Sequence, residues 1–394
     1  MFRGFLKNAF LLVCMFSLFV ALTNNSFAIP LFGKKFDTKC FTCHVTEPML
    51  NDFGRKFQAS GFTIAGTKDI TPVWNQTLPT FSVLVGPAFE YTTSGGESNL
   101  SIADIGFDIL TGGSLGDKMN YFGAIVVDPV GDGSYEAAVE SFTLFYNNVI
   151  GEMNNFNLSF GKMRLFIPSQ VNLRLSGTNY LAYEYDPIGE LEPTSHFLIG
   201  EAQFAVSAFG NLDQILDGAR YQVALTNGNK GGSSLNDNQA IFASMSLTKN
   251  IGNSPFRIGG MYYGGKQSLG DSSLNNFSRI GVDVDLYDPI ANKLNITGQF
   301  LIAEDDNVDG EKNKMTGGFV SAVYPLEAEK IFGYVRYDFT KVEETKVDQK
   351  QMTFGARYHL APNVYLFGEY GQLTLTEEST TTEEIISFGV NLAY

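Results

Sequence analysis

The sequence is short of positive charge, of cysteine and histidine, and of long apolar runs. Lysine and arginine number 27 against 42 aspartates and glutamates, a net charge of -15. A chain so acidic has no basic face for a phosphate backbone, so nucleic acid is excluded as a partner. Mean hydropathy is -0.02, and the only long apolar run lies before residue 23. A bundle of membrane-crossing helices is therefore excluded. Hydrophobic residues at 44% with 13% aromatics equally exclude a disordered chain. A soluble exported protein and a transmembrane β-barrel remain, the latter because alternating strands leave hydropathy averages near zero.

The N-terminus reads as an export signal, residues 1–28. Arg3 and Lys7 precede an apolar run from Ala9 to Leu22, and Ser26-Phe27-Ala28 is a small-x-small cleavage pattern. The run is too short for a membrane anchor. Cleavage after Ala28 removes Arg3, Lys7 and Cys14, leaving 25 basic and 42 acidic side chains, a charge of -17, and two cysteines.

Both of those cysteines fall in Cys40-Phe41-Thr42-Cys43-His44, the C-x-x-C-H attachment pattern for c-type haem. On one helical turn two thiols reach the two vinyl groups of a porphyrin, and the next residue, His44, can serve as axial ligand of the iron. A zinc site would lack its second ligand pair, since only His196 and His359 remain. A redox dithiol would not need the adjacent histidine. The spacing predicts a small helical haem segment over residues 29–72, with Asp37 or Thr38 capping a first helix and Pro48 opening a second that ends before Gly61. Only 44 residues run from Ile29 to Pro72, too few to bury a haem and a core alone. Something else must cover them.

The sixth iron ligand is left open by the sequence: the position is open or water-bound, or it is filled by Met49 or His359. Met49 stands five residues after His44, and that stretch spans at most ~17 Å, barely the path from one haem face to the other, so packing is its better role. His359 shares a strand face with Thr353 and Arg357, which directs it into a barrel lumen near one rim.

Residues 73–394 read as a barrel. Ile280-Gly-Val-Asp-Val-Asp-Leu286, Leu294-Asn-Ile-Thr-Gly-Gln-Phe300 and Val335-Arg-Tyr-Asp-Phe339 alternate apolar and polar, and the chain ends in the same pattern on Tyr394. Counting turns back from Tyr394 gives about sixteen antiparallel strands, the first near Thr80 to Tyr91, forming an all-β transmembrane barrel. Short turns are expected at Asn250–Asn253, Asp288–Ala291, Leu326–Glu329 and Ala361–Asn363. Long loops are expected at Glu304–Lys314, Val342–Lys350, Leu375–Glu383 and, longest of all, Leu165–Ser195, which would fold into the lumen. Short turns belong to the periplasmic side. An even count then places the haem segment at the periplasmic end, plugged into an aqueous lumen. The outer wall would face outer-membrane lipid. Asp305-Asp306-Asn307-Val308-Asp309-Gly310 matches the start of a calcium loop but lacks the closing glutamate. Asp104, Asp108, Asp283, Asp285 and Asp338 fall on lumen-facing positions.

Pro30-Leu31-Phe32, Cys40 to His44, Pro48-Met49-Leu50-Asn51, Phe53-Gly54, Phe57 and Gly61-Phe62 resemble the fused monohaem cytochrome c–porin of the outer membrane in iron-oxidising bacteria. The resemblance covers the signal peptide, the haem segment in detail and the barrel in length and pattern; Gly33 stands where alanine is expected. It implies one covalent haem c on Cys40 and Cys43 with His44 as axial ligand. Pro48, Leu50, Phe53, Gly54 and Phe57 would pack around it. It further implies one-electron transfer from extracellular Fe(II) to a periplasmic c-type cytochrome. Two alternatives stand beside it: outward delivery to an extracellular acceptor, and a solute porin with the haem segment as a structural plug. A homo-oligomer is compatible, since porins are often trimers. Residues 29–72 carry six basic and four acidic side chains, which leaves the barrel at -19, a charge that attracts divalent cations.

Overall fold

A computed structural model describes residues 31–36, 38–64, 72–75, 81–103, 106–130, 134–151, 153–166, 181, 199, 202–213, 215–228, 239–252, 254–268, 274–287, 294–306, 312–343, 346–377 and 379–393. The expected signal peptide lies outside these residues, as do Asp37, Asp104, His196 and most of the Leu165–Ser195 loop.

Alternation builds the wall. Along Leu274–Tyr287, Phe277, Arg279, Asp283, Asp285 and Tyr287 are buried, while Ile280, Val282 and Val284 between them are open. A pleated strand sends successive side chains to opposite faces, so the apolar set meets lipid and the other set meets the lumen. Each strand pairs antiparallel with the next, and Thr380–Ala393 closes the ring onto the first. Eighteen described segments form the closed barrel. Phe81–Val85 and Ala88–Ser94 both pair with Thr380–Ala393, and are one strand broken at Gly86-Pro87. Their partners Phe107–Ser114 and Glu97–Ala103 are likewise one strand. The wall therefore has sixteen crossings, the expected number. Pro87 has no N–H for the ladder, and a Cβ on Gly86 would fall 2.5 Å from Asn391 Oδ1.

The three shorter outer loops differ from expectation. The ladders run on to Asp306↔Lys312, Lys341↔Asp348 and Thr376↔Thr380. Thr374, Thr376, Thr380, Thr381 and Thr382 favour strand at the last of these ends, whereas the Asp306 and Lys341 ends pair despite residues that strands disfavour. Asp305 stays in the ladder, its carboxylate taking Arg279 Nη2 at 2.6 Å, and Asp306 accepts from Asn276 Nδ2 at 2.7 Å.

The N-terminal segment fills one mouth of the barrel, the end where Phe81 enters and Ala393 leaves. It comprises the helices Leu31–Phe36, Cys40–Cys43 and Asp52–Ala59 and a two-strand ladder of His44–Thr46 with Met49–Leu50. Wall residues all around the ring hold it. Leu31 N donates to Ser82 Oγ at 2.7 Å, Asn120 Nδ2 to Gly61 O at 3.2 Å, and Asn211 Nδ2 to Ser60 Oγ at 2.8 Å. Arg220 binds Asp52 at 2.7 Å, and Arg55 forms an ion pair with Asp285. Phe62 meets Phe122 and Phe145, each at 5.4 Å between ring centres, and Phe41 stacks on Phe332 at 5.9 Å. The barrel thus supplies the cover that so short a segment cannot provide.

Further from that mouth one side of the lumen is apolar. Leu165 and Ile199, from the two ends of the longest connection, pack with Phe242, Tyr263, Phe277 and Leu301. The Leu181 amide donates to Asp338. Leu165, Leu181 and Ile199 thus each contact groups on the inner side of the wall; most of the Leu165–Ser195 loop lies outside the described residues. Phe242, Leu301 and Phe319 point inward and are at most 2% exposed, while Arg336, Asp338, Thr353 and Glu369 give the same lumen a buried polar side.

Candidate cofactor site at the barrel mouth

Cys40 and Cys43 stand one helical turn apart and form no disulfide. Burial, with Glu47 beside Cys40, pushes the Cys40 thiol well above its ordinary pKa, and burial raises Cys43 as well. Both are protonated at neutral pH. His44 follows directly. Burial lowers its pKa, so the ring is neutral. Its Nδ1 lies 3.1 Å from the Pro48 carbonyl oxygen, which can only accept. The proton is therefore on Nδ1 and the lone pair on Nε2.

Asn51 ties the motif to the next helix. Its Oδ1 accepts from Gly54 N at 2.9 Å, its Nδ2 donates to Thr42 O at 3.0 Å, and its N–H donates to Cys43 O at 2.9 Å. This moves the helix start from Pro48 to Asp52. The Pro48 carbonyl is already occupied by His44, and Met49–Leu50 are paired as strand. Gly54 is pressed against the motif, where a Cβ would lie 2.2 Å from Cys43 O. Phe57 is buried among Phe32, Phe36 and Phe62, whereas Phe53 is 42% exposed. Among the described residues, buried Glu47 Oε1 and His359 Nδ1 lack hydrogen-bond partners.

This donor set fits a covalently attached haem c. Two free thiols one helical turn apart and an adjacent imidazole with its Nε2 lone pair free match the donors such a group takes. The two sixth-ligand candidates are also placed. Met49 packs with Phe41 and Val45 on the wall residues Val323, Phe332 and Tyr334. His359 faces inward at this mouth, 5% exposed, its Nε2 3.3 Å from Thr46 Oγ1.

The lumen acids are brought together with arginines. Asp283 and Asp285 flank Arg257, Asp285 also binds Arg55, and Asp338 takes Arg336 Nε at 2.6 Å. They are internally neutralised. Sequence reading missed Arg55, Arg257, Thr46 and Asn51 as parts of the site. Pairing across 230 positions, as for Arg55 and Asp285, leaves no local signal.

The Gram-negative porin profile matches residues 177–378, just over half of the 394. The chain belongs to the Gram-negative porin family. Its place is the outer membrane. The match does not reach the Cys40–His44 motif. No curated protein matches the chain. Among solved structures it is similar to the anion-selective porin from Comamonas acidovorans, with TM-score 0.60 and 12% identity over 80% of this chain and 99% of that one. The outer membrane channel DcaP of Acinetobacter baumannii gives 0.55 and 13% over 80% and 96%. OmpT of Vibrio cholerae gives 0.52 and 13% over 81% and 99%. At such identities the likeness is one of fold.

Proposed function

We propose that this porin-family barrel is a one-electron conduit across the outer membrane. In this reading residues 29–72 carry one haem c, bound through Cys40 and Cys43 with His44 as axial ligand. The observation that carries it is the C-x-x-C-H turn held in the barrel mouth, the periplasmic one in this reading, with free thiols and a His44 ring whose Nε2 is unoccupied. A bound haem c would supply a one-electron iron couple. The chain's own residues hold it, orient His44 through Pro48, and exclude bulk water with the aromatic packing of Phe32, Phe57 and Phe62. The donor we assign is extracellular Fe(II), which gives up one electron to become Fe(III), and the acceptor is a periplasmic c-type cytochrome, reduced by one. Flow in the opposite direction, to an external acceptor, uses the same parts. OmpT is also known in a trimer form, and a homo-oligomer is part of this proposal.

Family membership favours a second reading, a solute porin in which the N-terminal segment is a structural plug. Two measurements separate them. Mixed anaerobically with Fe(II), the purified protein should show its haem becoming reduced, and C40A or C43A should lose covalent haem. In liposomes the conduit should pass little ionic current. A haem indifferent to Fe(II) together with porin-sized conductance would decide for the solute porin.

A further inference from the structure

We propose that His359 is a positioning residue for the proximal histidine and not a ligand of the iron; the inference rests on the haem reading above. His359 belongs to the wall strand Asp348–Ala361. Its Nε2 lies 3.3 Å from the hydroxyl of Thr46, a residue with no exposed surface. Thr46 ends the short strand that His44 begins, opposite Met49–Leu50. The backbone of His44 is paired to Leu50 and its ring is held by Pro48. A displacement of Thr46 therefore turns the imidazole whose Nε2 would face the iron.

The His359 ring is itself fixed. Phe41 lies 5.2 Å away, Phe332 5.5 Å and Tyr365 5.2 Å between ring centres. Packing on several sides leaves no room to swing Nε2 away from Thr46. The contact links residues 313 positions apart, from the barrel wall to the motif loop. It acts on the iron at one remove, as outer-shell partners orient a metal-bound imidazole.

The test uses the full-length protein and reads the reduction potential and the iron spin state in T46V, H359A, H359Q and the double variant T46V/H359A. A positioning role predicts that T46V and H359A move the potential in the same direction by similar amounts, and that the double variant moves it no further than the larger single. The spin state should match the parent throughout, and added imidazole should act alike on parent and variants. H359Q, whose amide can still reach Thr46, should restore the parent value. Two results overturn the proposal. One is a spin-state change in H359A alone, reversed by imidazole, with T46V like the parent, which would make His359 the ligand. The other is a potential unmoved by either change. A parent without any Soret band overturns the haem reading itself, and the inference with it, and is told apart by that absence.

Discussion

Gly54 illustrates how little freedom the motif has. Its Cα faces the Cys43 carbonyl, and an added methyl group would sit 2.2 Å from that oxygen. Backbone cannot step aside as a flexible side chain can. G54A should therefore push the Asp52–Ala59 helix off the Cys40–Cys43 turn, at a cost of ~1–3 kcal/mol. The expected outcome is a lower haem-to-protein ratio with the barrel still folded, read by haem stain against barrel band intensity. An unchanged ratio would mean that the helix can shift without disturbing the thiols. Asn51 works beside it: its Nδ2 donates to Phe41 O and Thr42 O, its N–H to Cys43 O, and its Oδ1 caps the helix at Gly54 N. Neither role was legible locally: the sequence offered Pro48 as a helix start, and only the occupied Pro48 carbonyl rules it out.

At the scale of elements, the Asp52–Ala59 helix is anchored by two ion pairs of unequal weight. Arg55 and Asp285 are 5% and 1% exposed, whereas Asp52 in its pair with Arg220 is 37% exposed. Breaking a buried pair costs about 3–5 kcal/mol, and a partly open one about 1 kcal/mol or less. Arg257 still faces Asp285 when Arg55 is removed, so R55M belongs at or below the lower end of the first range. R55M should expose residues 29–72 to protease while the wall stays resistant, and D52N should do so far less. Equal susceptibility in both variants would show that aromatic packing, rather than Arg55, holds the segment. The wall strands themselves were readable from parity alone. The interruption at Gly86-Pro87 was not, because neither half shows that both pair with the same final strand.

For the whole molecule the question is what closes the barrel. One closure is the N-terminal segment in the mouth where Phe81 enters and Ala393 leaves. A second is the cluster of Phe242, Tyr263, Phe277 and Leu301 with Leu165 and Ile199 on one side of the lumen; Arg336, Asp338, Thr353 and Glu369 line the other. Because the two are separate, R55M should loosen the mouth yet leave planar-bilayer current well below that of an open general porin. A porin-sized current in R55M would locate the whole closure in the segment. Lumen carboxylates fit the same picture, since Asp283, Asp285 and Asp338 are paired with arginines and present little net charge to a passing cation.

The sequence by itself determined the two-residue alternation, hence the barrel and its sixteen crossings. It also determined the C-x-x-C-H motif, because thioether spacing is a local property of one helical turn. Tertiary structure alone decided what fills the lumen and what grips the segment. Inward side chains are read as polar or apolar one strand at a time, but whether Asp285 is a free charge or half of an ion pair depends on Arg55 arriving from the far end of the chain. Long-range pairing of that kind leaves no periodicity to read, and it becomes visible only once the ring has closed.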